Sequence, residues 1–182
     1  MNWKIIIAAG LILLSTNLYA AKPDKALPFH GVFSGYLLGF GDVPAGRCDD
    51  VPDGKVAWAM ASFEAWGTAT HLGETYLTAS HCSYGWPIND PPYVIPDGTY
   101  GEGELELTAD NGDILIVSYT NGESLEPPPN AVFQEDIKFH KGGTGRFTFA
   151  SGGGVDIGTF NALDGSITLQ MNGVIAYSKR QK

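Results

Sequence analysis

Apolar and polar residues alternate with a period of two along most of residues 21–182, and this alternation constrains the fold more than any other feature. The clearest examples are "ELELTADNGDILIVSY" at 104–119 and "AVFQEDIKFH" at 131–140. Successive side chains of a strand point to opposite faces, so this period is typical of strands that bury one face. The same residues show no sustained 3.6-residue period of an amphipathic helix. The chain is therefore predicted to be all-β.

Turn signals between the alternating segments predict how the strands connect. The Asn111-Gly112 pair favours the positive φ angles of a two-residue type I′ hairpin turn, and "LGE" at 72–74 predicts a second tight turn. Eight or nine strands joined by short links are typical of an antiparallel barrel or sandwich, and an eight- to nine-stranded antiparallel β-barrel is expected. The predicted strand segments are 29–40, 56–73 (one strand or two joined by a bend), 75–82, the 104–119 hairpin, 131–140, 146–151, 155–162 and 166–177.

Two proline-rich segments, 85–103 and 125–130, are predicted to lie outside the sheet. Proline has no N–H to donate to a strand ladder, which favours a loop in both places. A long loop over one end of a barrel is either functional or a plain connection. The sequence leaves both alternatives open for 85–103.

The segment "GGTGRFTFASGGG" at 142–154 combines many glycines with alternating apolar residues. We expect Gly142 and Gly143 to turn the chain sharply, and Gly145 to mark a bulge or a close backbone approach. The residues 146–151 then form a strand, and 152–154 the next turn. Such kinks relieve strain in a closed, curved sheet. A phosphate-binding loop is excluded, because no Lys-Ser/Thr pair and no helix pattern follow the last glycine.

The same segment resembles the signature of the allene oxide cyclase-like barrel superfamily, which includes the plant dirigent proteins. The stretches at 67–80 and 107–122 are similar, in that order, to a bacterial exported branch with this barrel. The resemblance covers most of 60–178 and implies eight antiparallel strands around a mostly apolar cavity. Activity does not follow from a shared fold, and no catalytic residue is carried over.

Residues 1–20 are typical of a secretory signal peptide, with Lys4 before a short apolar run and a small residue at Ala20. The apolar run is shorter than the roughly 20 residues that span a bilayer, which disfavours a retained anchor. Cleavage near Ala20 would leave a single domain over 21–182. A periplasmic or secreted protein is expected.

The two cysteines, Cys48 and Cys82, are predicted to form a disulfide, as an even pair in a small exported domain usually does. A metal site is the alternative, since His81 adjoins Cys82 and Asp49 follows Cys48. Neither cysteine has the close C-x-x-C partner of a zinc site, so no metal is predicted.

The formal net charge of −9 argues against nucleic acid as a partner, because such a chain repels phosphate backbones. Anionic lipid head groups are repelled for the same reason, and no membrane insertion is expected. The acidic residues are spread along the sequence, as on an ordinary solvated surface.

A few polar residues are candidates for ligand binding or chemistry. Two histidines on neighbouring predicted strands, next to Glu64 or Glu74, are a potential acid–base or metal pair. An arginine in the glycine segment has the planar fork that binds carboxylates. Each has an ordinary alternative: a histidine hydrogen-bonded at the barrel rim, a surface ion pair, or aromatic packing. The candidate ligand-binding residues are Glu64, His71, Tyr76, His81 and Arg146.

Three functions are compatible with these features, and whether the protein is an enzyme stays open. The first is an exported barrel that binds a small apolar or amphipathic ligand, or a partner protein, without a cofactor. The second is a cofactor-free isomerase or cyclase of the allene oxide cyclase type. The third is a structural or interaction module whose barrel interior is filled by side chains.

Overall fold

A computed structural model describes residues 25–88, 93–126 and 129–177, so the predicted signal peptide lies outside the described residues. Each strand pairs antiparallel with the next, and the last pairs with the first, which closes a barrel. This confirms the predicted all-β antiparallel barrel, with eight strands. They are β1 Leu27–Gly41, β2 Val56–Ala69, β3 Gly73–Pro87, β4 Val94–Ala109, β5 Ile114–Glu126, β6 Asn130–His140, β7 Ser151–Asn161 and β8 Ser166–Ala176.

The two ends of the barrel differ in how they are filled. At the end formed by the turns 70–72 and 110–113 and the segment 141–150, apolar side chains pack across the interior; we call this the closed end. The opposite end, where β1 and β3 finish and β2 and β4 begin, is the open end. Burying apolar area of this kind contributes about 25 cal/mol per Å², so the closed end supplies much of the core. Its fully buried side chains include Phe33, Leu72, Leu107, Leu115, Phe147, Met171 and Ile175.

The glycine-rich segment closes that end, and the strand predicted at 146–151 is wrong. Gly145–Phe147 forms a short 3-10 turn, and β7 begins only at Ser151. The Phe147 side chain is completely buried and packs on Tyr177 with ring centroids 5.2 Å apart, whereas Phe149 is exposed. Burying one large ring across the barrel end favours the turn over the extended chain that the alternation predicts.

The turn predicted at 152–154 is also wrong, because these glycines lie inside β7 between β6 and β8. A Cβ atom added at Gly153 would collide with the backbone oxygen of Ile137, and one at Gly154 with that of Asn172. Glycine is therefore required by the close approach of the neighbouring strands.

The proline-rich segment 85–103 contains more strand than predicted. Residues 85–87 belong to β3 and 94–103 to β4, while the centre of the segment lies outside the described residues. Pro96 lies beside a register shift between β3 and β4, where the ladder is already irregular and a missing N–H costs little. Likewise, the ends of the 125–130 segment belong to β5 and β6.

The predicted disulfide between Cys48 and Cys82 is present and ties the connection between β1 and β2 to the outside of β3. It forms a small outer core with Met60 and Tyr84. The Glu102 carboxylate accepts the backbone N–H of Cys48 at 3.0 Å, which holds the bridged segment against β4. Within the described residues, no helix is long and apolar enough to cross a membrane.

Candidate functional site

The barrel interior contains a cavity of about 480 Å³ on the side of the open end. The cavity extends to Pro96 and Asp97, which are exposed, so it opens to solvent there. Side chains at the closed end, such as Phe147 and Met171, do not line it. The walls are mainly apolar and include Leu37, Phe63, Leu77, Leu105, Ile167 and Leu169.

Glu135 projects into this cavity from the middle of β6. The strand alternates strictly, and Glu135 occupies the same inward row as Phe133 and Ile137. Only 5% of its surface is exposed. A carboxyl group in an apolar row is costly unless it is neutral or paired, so its position calls for a specific explanation.

Asp156 on β7 lies directly opposite Glu135 in the strand register and lines the same cavity. It is completely buried. Neither of its carboxylate oxygens has a hydrogen-bond partner at bonding distance within the described residues. A buried carboxyl group without hydrogen-bond partners is rare in folded proteins, and it marks this wall as a candidate site.

Two tyrosines reach the same wall because each faces a glycine on the neighbouring strand. Tyr100 on β4 pairs with Gly122 on β5, and Tyr119 on β5 pairs with Gly103 on β4. A Cβ atom at either glycine would overlap the opposing tyrosine ring. The rings therefore lie flat over the backbone, as in other aromatic–glycine pairs of β-sheets.

This packing directs the two hydroxyl groups to different places. In the register, Gly122 pairs with Tyr100 on one side and with Glu135 on the other, so the Tyr100 ring crosses β5 towards Glu135. The Tyr119 ring crosses β4 in the other direction, and its hydroxyl oxygen lies 2.6 Å from Nδ1 of His81 on β3. We call Glu135, Asp156, Tyr100, Tyr119 and His81 the polar cluster.

His81 is packed between aromatic rings and is neutral at physiological pH. Its ring stacks on Tyr100 with centroids 4.6 Å apart and lies 5.0 Å from the Phe63 ring. Burial lowers the pKa of His81 to about 4. A neutral imidazole either donates its Nδ1–H to the Tyr119 oxygen or accepts the Tyr119 proton there.

The pKa values of the two carboxyl groups are shifted in the opposite direction, upwards. Burial, together with the neighbouring Asp156 charge, raises the pKa of Glu135 to about 8, although Tyr100 and Tyr119 act to lower it. Burial raises the pKa of Asp156 to about 7, although the backbone amides of Ile157 and Gln170 act to lower it. Both carboxyls therefore change protonation near neutral pH, which suits groups that exchange protons.

The tyrosine hydroxyls remain protonated. Burial, and next the negative charge of Glu135, raises the pKa of both Tyr100 and Tyr119 well above the ordinary value. The Tyr100 hydroxyl is buried and has no hydrogen-bond partner at bonding distance among the described residues. A ligand with a polar group would find an unused donor at this point.

Of the five ligand-binding candidates from the sequence, the structure places His81 in the cavity. Glu64 and Tyr76 lie on the outer surface of β2 and β3, where the Tyr76 hydroxyl donates to the Glu64 carboxylate at 2.9 Å. That contact, with some burial, raises the pKa of Tyr76. The expected pairing of His81 with Glu64 or Glu74 is wrong, because His81 points inward and Glu64 and Glu74 do not line the cavity.

His71 and Arg146 lie at the closed end, away from the cavity. His71 adopts a positive φ of 72° in the β2–β3 turn, and its Nε2 lies 2.9 Å from the Pro28 carbonyl oxygen. Arg146 pairs with Asp113 at 3.7 Å and lies over the Phe147 ring. His71 is therefore a hydrogen-bonded histidine at the barrel rim, and Arg146 forms an ion pair with an acidic neighbour. These are the structural roles that the sequence predicts as the alternatives to ligand binding.

Sequence reasoning missed both carboxyls of the polar cluster. Glu135 carries a usable signal, since "AVFQEDIKF" alternates and places Glu135 in the apolar row with Phe133. Asp156 carries a misleading one, because the larger apolar residues Val155 and Ile157 occupy the opposite row and face outward. Among the described residues, no three His, Cys, Asp or Glu side chains are grouped to hold a metal ion.

Comparison of the chain with protein-family profiles, with curated proteins and with solved structures found no match in any of the three.

Proposed function

We propose that this protein is an exported barrel that binds a small amphipathic ligand in its open-ended cavity. The observation that carries the proposal is an apolar cavity of about 480 Å³ that ends on a buried polar cluster with unsatisfied atoms. Ligand sites typically combine a mainly apolar lining of this volume with a few convergent polar groups.

The apolar part of the ligand would lie against the aliphatic and aromatic walls. Small side chains line the wall where a large one would fill the space, notably Ala61, Ala65 and Ala79 on β2 and β3. This unfilled volume favours ligand binding over a structural module with a packed interior, because protein interiors without a ligand are normally close-packed.

The polar part of the ligand would contact the polar cluster. Glu135 and Tyr100 lie in one transverse row of the wall, on either side of Gly122. The Tyr100 hydroxyl and the Asp156 carboxyl lack partners at bonding distance among the described residues. A ligand that supplies hydrogen bonds there gains their energy and removes the penalty of unsatisfied groups.

A neutral fluorescent probe, N-phenyl-1-naphthylamine, tests whether the cavity is accessible. Its emission should increase on addition of the wild-type protein, and Ala79→Phe, which fills part of the cavity, should abolish the increase. Ser34→Phe adds the same ring on the exposed face of β1 and serves as the control. Equal binding by Ala79→Phe and wild type would contradict binding in the cavity.

A cofactor-free isomerase or cyclase is the second candidate function, and the Glu135–Asp156 pair favours it. Two adjacent carboxyls that titrate near neutral pH allow one to donate and the other to accept a proton during rearrangement of an apolar substrate. The resemblance of the glycine-rich segment to the allene oxide cyclase-like superfamily agrees with this chemistry class.

Turnover of the methyl ester of an unsaturated fatty-acid epoxide, which carries no negative charge, tests this second function. Glu135→Gln should abolish turnover while N-phenyl-1-naphthylamine binding persists. Glu64→Gln is the matched control, because Glu64 lies on the outer surface and should leave turnover unchanged. Turnover that survives Glu135→Gln would rule out the proposed role of the carboxyl pair.

Export through a signal peptide cleaved near Ala20 completes the proposed function. The disulfide between Cys48 and Cys82 supports it, since such bonds persist in oxidising compartments. Mass spectrometry of the protein from the periplasm or medium of the expressing cells should give a mature N-terminus close to residue 21. An intact N-terminus on cell-retained protein would contradict export.

A further inference from the structure

We infer that the ligand class of the cavity is an organic cation: an apolar body that ends in a protonated amine, which pairs with Glu135. This inference rests on the proposed ligand binding and specifies its chemistry. It depends on three features of the cavity: the charge of its lining groups, its aromatic wall and the accessibility of Glu135 to a ligand.

The charged groups of the cavity wall are acidic. Glu135 and Asp156 lie in the polar cluster, and no described lysine or arginine lines the cavity. At the mouth, Asp97 is already paired with Lys55 at 2.7 Å. An anionic ligand would meet uncompensated like charge in a site of low dielectric, whereas a cation would neutralise a carboxylate.

Aromatic rings surround the same position. Tyr100 and Tyr119 meet edge to face with centroids 6.0 Å apart, and Tyr100 and Phe133 do so at 6.3 Å. All three rings line the cavity beside Glu135. The negative faces of aromatic rings attract ammonium groups, so rings combined with a carboxylate favour an organic cation over a neutral alcohol.

Glu135 is the carboxyl that a ligand reaches. It keeps 5% of its surface exposed, whereas Asp156 is fully covered. A protonated amine that binds when Glu135 is neutral displaces the Glu135 proton to solvent and leaves an ammonium–carboxylate pair. One proton is released for each amine that binds to neutral Glu135.

Of the groups that face Glu135, only Asp156 exchanges a proton above about pH 6.5. From β4 and β5 it faces Tyr100 and Tyr119, which stay protonated because burial raises their pKa. His81 on β3 contacts both tyrosines, and burial lowers its pKa to about 4. Only Asp156, on β7, titrates in the same range, and β1, β2 and β8 contribute uncharged side chains to the lining.

Three probes that differ only in their polar end test the inference: octylamine, 1-octanol and octanoate. Binding to the full protein is measured by isothermal titration calorimetry at about pH 6.5 and about pH 8.5. Octylamine should bind at least tenfold tighter at the higher pH, since Glu135 must lose a proton to pair with the amine at about pH 6.5 and is already mostly ionised at about pH 8.5. Octanol should bind more weakly with little dependence on pH, and octanoate should not bind.

Two variants test whether Glu135 is the group that pairs with the amine. Glu135→Gln should weaken octylamine at least tenfold at the higher pH and leave octanol unchanged. Asp136→Asn is the matched control, because Asp136 is the next residue of β6 and points outward. It should leave octylamine binding unchanged.

The outcomes separate this inference from the function on which it rests. Octanol or octanoate binding as tightly as octylamine, with N-phenyl-1-naphthylamine bound, would overturn the cation preference and leave ligand binding intact. Failure of all three probes and of N-phenyl-1-naphthylamine would overturn both. Octylamine binding that Glu135→Gln does not weaken would overturn the pairing.

Discussion

Glu135 and Asp156 occupy directly opposed positions of β6 and β7, and both side chains point into the barrel. A cross-strand pair of like ionisable groups is destabilising when both are charged. Burial keeps protons on both to higher pH than usual by raising each pKa, and the Asp156 charge adds to this effect on Glu135. The barrel therefore contains two acids that are largely neutral in its resting state at mildly acidic pH.

Stability should fall as the pH rises towards the pKa of Glu135. Burial raises this pKa to about 8, so the folded state binds a proton more tightly than the unfolded chain does. Stability from this group is then full below about pH 4 and is lost progressively up to about pH 8. Between about pH 6.5 and 8 the loss should approach 2 kcal/mol, at about 1.4 kcal/mol per pH unit.

Urea unfolding at a series of pH values measures this slope. Glu135→Gln should reduce the loss of stability with pH above about pH 6.5. Below this pH, protonation of His81 in the unfolded chain gives stability a pH dependence of the opposite sign. Asp136→Asn should keep the wild-type slope. If Glu135→Gln and wild type lose stability in parallel, Glu135 is not protonated in the folded state.

Phe147 should be essential for stability, whereas Phe149 should be dispensable. Phe147 is completely buried at the closed end, and Phe149 is 55% exposed two residues later. Phe147→Ala leaves a cavity and should cost about 3–5 kcal/mol, while Phe149→Ala should cost under about 1 kcal/mol. Thermal and urea unfolding of the two variants compare these values, and similar losses would contradict closure of the barrel end by Phe147.

Gly103→Ala should displace the Tyr119 ring, because a Cβ atom there overlaps the ring. Overpacking of this kind typically costs about 1–3 kcal/mol. The control is Gly41→Ala, since a Cβ atom at Gly41 meets no atom within 4 Å. Unfolding measurements should show a loss only for Gly103→Ala. The tyrosine near-ultraviolet circular dichroism should also change, and an unchanged spectrum with full stability would contradict the aromatic–glycine pairing.

Reduction of the disulfide should lower the melting temperature. Cys48 and Cys82 are separated by 34 positions, and a loop of this length is worth about 3–4 kcal/mol in the chain-entropy model. Melting followed by circular dichroism with and without a thiol reductant measures the change. The Cys48→Ser/Cys82→Ser variant should melt like the reduced protein and should not respond to the reductant; a response would mean that the reductant acts elsewhere.

The sequence was sufficient to predict the all-β antiparallel barrel, because the apolar–polar alternation and most turn signals both indicate strands joined by short links. Strand β6 shows this best: its period of two is unbroken, and the structure buries the row that contains its apolar residues Phe133 and Ile137. The disulfide was predictable for a related reason, since cysteine pairing depends on compartment and number as well as on geometry.

The glycine segment and the polar cluster were harder to predict because their positions depend on distant strands. Gly152–Gly154 read as a turn, yet glycine is needed there because neighbouring backbones approach closely. Asp156 lies in a row with Gly154 and Gly158, and only the tertiary fold turns that row inward. His81 was identified as a candidate, but its partner Tyr119 lies two strands away and no local pattern connects them.

In the proposed ligand binding, the difference between the two barrel ends would set the route that a ligand takes. Phe147 and its neighbours fill the closed end, and within the described residues the cavity opens to solvent near Pro96. Glu135 lies five residues from the start of β6 at the open end, roughly 16 Å along the chain at about 3.3 Å per residue. A ligand whose charged end pairs with Glu135, as proposed, would therefore enter with that end first and leave its apolar end towards the rim.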